Sequence, residues 1–420
     1  MKKNDPIYIG ENAIDHLVDY LNAHGLTRFT LVADENTHAA LGKRVDDALR
    51  AQNGYDVTTL VLTGEEIIAD AHYLLHVLAN SPVAEQVFIA VGSGTITDIC
   101  RFASHRSKNN FIAMPTAPSV DGFTSVGAPL VLAGVKQTLN CQPPLAVFAD
   151  LPTLQQAPKR LIAAGFGDIV GKYTSLADWE LGRLLWNEPY DANIAERARA
   201  GLHACVRHAD EISSASADGI RYLMDSLVES GLCMLELGSS RPASGSEHHC
   251  SHYWEMMLLQ EGRPALLHGA KVGFATTLMI EQYGKIRAMS RQEMLDRLEA
   301  AELPDRDAEI AAIRQAYGDG ADGVISAQAA FLDLPPEAFD QLKHRIAAHW
   351  DEIQAIAAAL PTSDDVVASL KQVGTPTSAE ELGLTADEVR RARQYGHYLR
   401  DRFTVMKLSR VLDLALTGES

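Results

Sequence analysis

The sequence predicts an α/β N-terminal domain followed by an all-α C-terminal domain. Three observations predict it. Over roughly the first 150 residues, short β-rich runs alternate with amphipathic stretches, the pattern of a parallel sheet with crossover helices. After Leu151 strand-like runs become scarce, and helical periodicity continues almost to the end. The length, 420 residues, exceeds one typical core and suits two domains, divided at 1–155 and 156–420.

Expected strands lie at 7–9, 29–33, 57–62, 86–91 and 111–114, with helices at 13–23, 37–52, 67–78 and 95–104 between them. The first helix shows the logic: Ile14, Leu17, Val18 and Leu21 fall on one face at i, i+3, i+4, i+7. The stretch 115–129, PTAPSVDGFTSVGAP, is rich in Pro, Gly, Ser and Thr and predicts a long loop, which inside a compact domain marks function or disorder. The segments 131–133 and 137–140 flank Gly134 as a hairpin, and 146–149 is one more short strand. Helical patterns then cover 157–168, 173–185, 194–213, 219–237, 248–260, 271–283, 290–300, 335–357, 363–373 and 386–416, the last long enough to be two helices.

Composition narrows the function. A net charge of −18 repels nucleic acid and anionic lipid, which excludes both as expected partners. No apolar run approaches the ~20 residues of a membrane span, and the N-terminal MKKNDPIYIGENAI lacks a secretory apolar region, so the expected location is cytoplasmic. Five cysteines without a CxxC pair argue against a disulfide framework and a four-cysteine zinc site.

The run QVFIAV at 86–91 ends in Gly92-Ser93-Gly94-Thr95, and a helical pattern containing Asp98 follows. Such a turn lets backbone N–H groups approach a phosphate, with the helix N-terminus adding partial positive charge. The spacing is not the G-x-G-x-x-G dinucleotide signature, and an ordinary strand-to-helix turn is an equal alternative. Asp34, ending an early strand, is placed to hydrogen-bond an adenosine ribose, or to cap the helix that follows.

A second cluster suggests a metal. Asp168 ends GFGD; His248 and His252 share a helix face in EHHCSH; His268 opens the next helical segment. Two histidines and a carboxylate leave coordination positions open, as a catalytic metal requires, and suit zinc, iron(II) or nickel better than magnesium or calcium. On spacing alone His249 and Cys250 remain candidate ligands, and isolated surface or core histidines remain the alternative to any site.

These segments together resemble the iron-containing alcohol dehydrogenase and dehydroquinate synthase superfamily, and within it the sn-glycerol-1-phosphate dehydrogenases. The likeness is carried by VGSGTITD (91–98), MPTAPSVDGFTS (114–125), AGFGDIVGKYTSLADW (164–179), SRPASGSEHHCSH (240–252), LLHGAKVGFA (266–275) and LRDRFTVMKL (399–408), in order along nearly the whole chain. The resemblance implies a dehydroquinate synthase-like fold, a Rossmann-like domain beside a helical one. It implies Asp168, His248 and His268 as metal ligands, with His252 behind them as a supporting residue or a proton relay. It implies that Gly92, Ser93, Gly94, Thr95 and Asp98 hold the pyrophosphate of NAD or NADP. Thr116, Ser119, Asp121 and Ser125 would line nicotinamide and substrate, with Asp121 orienting a substrate hydroxyl.

Lys172 departs from the pattern of many iron-type members, which carry a third histidine there. This favours zinc or nickel over iron. The implied reaction is metal-assisted hydride transfer between NAD(P)H and C2 of dihydroxyacetone phosphate, giving sn-glycerol 1-phosphate. The substrate phosphate calls for cations: Arg241 and Lys172 first, Lys136 and Lys271 after them. Asp34 points to NADH, because a carboxylate repels a 2′-phosphate. A homodimer is a family expectation. Alternatives are a glycerol or other polyol dehydrogenase, and a dehydroquinate synthase-type cyclase.

Overall fold

The computed structural model describes residues 6–132 and 135–416, with Val135 and Lys136 described by their backbone alone. The candidate cation Lys136 therefore lies outside the described side chains. Among the described residues no helix is long and apolar enough to cross a membrane.

Six strands form one all-parallel sheet: β1 (Ile7–Gly10), β2 (Arg28–Asp34), β3 (Asp56–Leu62), β4 (Val87–Val91), β5 (Asn110–Met114) and β8 (Val147–Asp150). Their order is β1-β8-β5-β4-β2-β3. The strands alternate their side chains between two buried faces, so both faces must be covered. Phe29, Leu31, Ala33, Ile89 and Ile112 pack with Leu17, Leu21, Val45 and Leu49 of the helices Ala13–Ala23 and Lys43–Arg50. Val32, Phe88, Ala90, Phe111 and Ala113 pack on the other face with Leu74, Val77, Ile99 and Ala103 of Ala71–Asn80 and Gly94–Arg106.

The chain moves outward from β2 to β3, then returns to place β4 on the other side of β2. This reversal is where open α/β sheets bind ligands, outside the carboxyl ends of the strands. Val32 is paired with Ala90, so Asp34 and Gly92, each two residues further on, leave the sheet side by side.

Strands β6 (Gly127–Leu132) and β7 (Val135–Asn140) make the expected antiparallel hairpin. It begins within the stretch read as loop, which shortens that loop to 115–126.

Contacts divide the chain into two compact units that do not follow a single cut at residue 155. The first holds the residues up to Ile169 together with His203–Gly238; the second holds Val170–Leu202 and the residues from Ser239 onward. The long helix Ala217–Leu237 belongs with the sheet because it packs against β1 and the helix Leu151–Gln155, and its Arg221 donates to the Ile9 carbonyl.

The second unit is helical, around a core that includes Trp254, Tyr283, Tyr317, Trp350 and Phe274. Its central helix, His268–Ala288, is buried on nearly all sides, which erases the one-sided pattern of a surface helix. The stretch 386–416 resolves into Ala386–Tyr395 and Val405–Val411, as its length suggests. Helices at Arg306–Tyr317, Ala321–Ala327 and Ala329–Leu332 go beyond what the pattern predicts.

Candidate active site and metal centre

The turn after β4 has the shape a phosphate needs. A Cβ on Gly92 would lie 2.6 Å from Ile96 Cβ, so only glycine lets the chain fold back so closely. Ser93 opens the Gly94–Arg106 helix in extended conformation with no side-chain cap, and Thr95 is exposed in the first turn. No side-chain cap takes up the N–H groups of that turn, the condition under which a helix N-terminus can take an anion. Ser93 Oγ is hydrogen-bonded to Ser119 Oγ, joining the turn to the 115–126 loop. Asp34 caps its own short helix: its carboxylate accepts from Thr37 N–H at 2.8 Å, and Thr37 Oγ1 accepts from Asp34 N–H at 2.9 Å.

Asp98 turns toward Arg101, 2.5 Å from its Nη1. Arg101 is fully buried and donates also to the carbonyls of Gly127 (2.9 Å), Gly122 (2.6 Å) and Phe123 (3.1 Å). A buried guanidinium with one carboxylate and three carbonyls straps the 115–126 loop to the Gly94–Arg106 helix. In that loop Thr116, Ser119, Asp121 and Ser125 are all buried. Asp121 Oδ2 accepts from Ser230 at 2.8 Å, and Ser125 donates to the Gly122 carbonyl at 3.2 Å.

A carboxylate oxygen of Asp168 and one ring nitrogen from each of His248 and His268 lie within 4.8 Å of one another. Asp168 is fully buried and sits in the last turn of Lys159–Val170; His248 lies near the start of Ser246–Gln260; His268 is the first residue of His268–Ala288. The three ligands expected from sequence are therefore the three brought together. His252 stands one turn beyond His248, its ring centroid 5.5 Å from that of His268 and 6.0 Å from that of His248, with Nδ1 3.1 Å from Glu255 Oε2.

The other two candidates face elsewhere. His249 is fully buried, and neither ring nitrogen has a hydrogen-bond partner among the described residues. Burial, with the charges of Arg402, Arg400 and Lys407, holds its pKa well below the usual histidine value. Cys250 lies against the Ala392 carbonyl, and burial pushes its thiol up to about 12.

The second unit places two of the expected phosphate cations, Lys172 and Arg241, around residues 239–245, just before the helix Ser246–Gln260. Lys172 Nζ donates to the Ala243 carbonyl at 3.3 Å. Arg241 Nε is held by Glu188 at 2.6 Å, and its Nη1 donates to Ser239 Oγ at 3.1 Å. Lys271 is paired instead with Glu255 at 3.3 Å, one turn along from His252.

Several contributors escape sequence reasoning. Arg402 donates to the Ser244 carbonyl and to Ser240 Oγ, the latter at 2.7 Å; desolvation, then Arg400 and Arg241, bring it down to about 9. Asp178 accepts from Ser246 N–H, Val405 N–H and Tyr283 OH, each at 2.7 Å, which ties both histidine-bearing helices to Lys172–Trp186. Burial and the neighbouring Glu247 charge raise Asp178 to about 7. Arg402 has one signal, the RDR of the C-terminal segment; Asp178 and Glu188 have none, since their partners are distant in sequence, and of Arg101's partners only Asp98 is near.

Comparison with known proteins agrees with this architecture. The iron-containing alcohol dehydrogenase family matches residues 8–158. The chain is 37% identical to the Glycerol-1-phosphate dehydrogenase [NAD(P)+] of Geobacillus thermodenitrificans, over 96% of this chain and 91% of that protein. It is 39% identical to the protein of the same name from Bacillus subtilis, over 97% and 91%. Among solved structures, glycerol dehydrogenase from Schizosaccharomyces pombe shares the fold, with a TM-score of 0.63 at 18% identity over 97% of this chain and 88% of that one. Near-full-length identity at this level, on a parallel sheet with a helical second unit and an Asp-His-His cluster, shows that the chain belongs to the NAD(P)-dependent glycerol-1-phosphate dehydrogenase family of the iron-containing alcohol dehydrogenase superfamily.

Proposed function

We propose that this protein interconverts dihydroxyacetone phosphate and sn-glycerol 1-phosphate, exchanging hydride with NAD(P)H. The observation that carries the reading is the 37–39% identity, along 96–97% of the chain, to relatives named Glycerol-1-phosphate dehydrogenase [NAD(P)+].

The residues fit a divalent metal: two imidazole nitrogens and one carboxylate oxygen converge, a donor set for an open catalytic site. When bound, the metal supplies Lewis acidity toward the substrate oxygen. Zinc or nickel is favoured over iron, because Lys172 stands where many iron-type relatives place a third histidine. His252, whose Nδ1 is engaged by Glu255, offers Nε2 to receive or return the proton of the substrate hydroxyl. Asp121, its Oδ2 held by Ser230, orients a hydroxyl of the substrate.

The cofactor pyrophosphate takes the uncapped N-terminus of Gly94–Arg106, reached over Gly92 and Ser93. Asp34, at the neighbouring strand end, binds the ribose and favours NADH. Thr116, Ser119 and Ser125 line the nicotinamide. Asp98 acts through Arg101, by holding the loop that carries them.

The substrate phosphate needs local positive potential against a net charge of −18. Lys172 and Arg241 supply it, with Arg402 bracing the same segment. A cytoplasmic location and a homodimer belong to the same proposal.

The test is to strip metal by chelation, reconstitute with zinc or nickel, and follow NADH oxidation with dihydroxyacetone phosphate and with unphosphorylated dihydroxyacetone. Activity should vanish and return with metal, and should favour the phosphorylated substrate; Arg241→Ala should erase that preference. Full turnover in metal-free protein sinks the metal role. Equal turnover of both substrates by the unaltered enzyme sinks the phosphate reading.

A further inference from the structure

The imidazole of His248 is gripped from behind. Its Nδ1 lies 2.6 Å from Oε1 of Glu247, a side chain with no exposed surface. The same oxygen accepts the Gly245 N–H at 2.7 Å, and Oε2 accepts the Thr174 hydroxyl at 2.6 Å. Three donors thus converge on one buried carboxylate. With Glu247 ionised, both of its oxygens only accept, so the proton of the shared bond sits on Nδ1. Nε2 is then the nitrogen that presents a lone pair.

We infer that Glu247 is a positioning residue of the metal centre: it holds His248 in the Nδ1–H tautomer with Nε2 toward the metal, and sets a second carboxylate charge one ring behind it. This rests on the reading of His248 as a metal ligand. An ionised partner on the remote ring nitrogen makes the ligating nitrogen more basic and freezes ring rotation. With Asp168 the site then carries two carboxylates, enough to balance a divalent cation. Thr174, 73 residues away in sequence, orients the carboxylate from a different helix.

Glu247→Gln separates charge from shape. The amide oxygen can still accept from Gly245 and Nδ1, while the amide nitrogen meets the Thr174 hydroxyl, which can turn to accept. The readouts are the zinc dissociation constant, from competition with a chromophoric chelator, and the visible bands of the cobalt(II)-substituted protein. The expected result is a rise of about 10–100-fold in the dissociation constant with shifted cobalt bands. Thr174→Val should weaken binding by a few-fold. Folded Glu247→Gln protein that binds zinc within twofold of the unaltered protein, with unchanged cobalt bands, overturns the inference. If Glu247→Gln does not fold, Thr174→Val decides, and unchanged zinc affinity there overturns it. His248→Ala keeps the two readings apart: if it too binds zinc normally, the ligand assignment itself has failed; if it alone loses zinc, only the role of Glu247 has.

Discussion

The backbone N–H of Asp121 donates to Oδ2 of Asp168 at 3.0 Å, binding the 115–126 loop to the aspartate of the Asp-His-His cluster. The same loop is held by Arg101 from the Gly94–Arg106 helix and by the Thr124 hydroxyl on the Val228 carbonyl at 2.9 Å.

Asp168→Asn keeps an oxygen that can accept from Asp121 but removes the charge. Bound metal after dialysis should fall below about a tenth of the normal content. Turnover should fall by about a thousandfold, roughly 4 kcal/mol of transition-state stabilisation. The melting temperature should move little. Elemental analysis and steady-state kinetics check this, and normal metal content would refute the ligand role.

Gly165 explains why GFGD begins as it does. A Cβ there would stand 1.8 Å from the Pro118 carbonyl oxygen, a backbone atom that cannot step aside. Gly165→Ala must push the Lys159–Val170 helix from the loop, and Asp168 moves with it. A loss of about 1–3 kcal/mol in urea unfolding is expected, together with weakened metal binding. Unchanged stability and metal content would show that the two segments give way freely.

Arg101→Met removes the strap and leaves Asp98 and three carbonyls without their donor. Breaking a buried ion pair from one side costs about 3–5 kcal/mol. Arg101→Lys, which keeps charge but not the planar fork, should recover part of that loss. If the loop lines the nicotinamide as proposed, cofactor KM should rise more than kcat falls. Equilibrium unfolding and cofactor titration of the two variants test this.

Glu309 is the pH-sensitive member of a further ion pair, with Oε1 2.6 Å from Arg410 Nη2 and Oε2 2.7 Å from the Tyr398 hydroxyl. Burial alone would raise its pKa, but the bonds from Arg410 and Tyr398 prevail and hold it below the usual 4.5. A depressed carboxylate stabilises the fold above its unfolded pKa and loses that contribution as pH falls through its folded value. Glu309→Gln should therefore cost about 1–3 kcal/mol at pH 7, with the gap narrowing progressively below about pH 4.5. A gap constant down to pH 3.5 would contradict the assignment.

Much of the fold is legible in the sequence. The helix 13–23 and the six parallel strands follow from local periodicity, which only nearby residues decide. The short helices Ala321–Ala327 and Ala329–Leu332 escape it because Gly318, Gly320 and Gly323 interrupt a pattern too brief to establish itself. The segment Ala217–Leu237 reads as a helix but not as a companion of the sheet, since periodicity reports that a face is buried and not against what.

At the metal centre the sequence alone names the kinds of donor and the elements that carry them. Asp168, His248 and His268 are marked by residue type, helix position and resemblance. Their convergence belongs to the folded chain, as do the hold of Glu247 on the remote nitrogen of His248 and the fixing of the adjoining loop by Asp121 and Arg101. Side-chain chemistry and local propensity are properties of a residue and its near neighbours. A hydrogen bond between Thr174 and Glu247, or between Arg402 and Ser240, exists only once the chain has closed the distance between them.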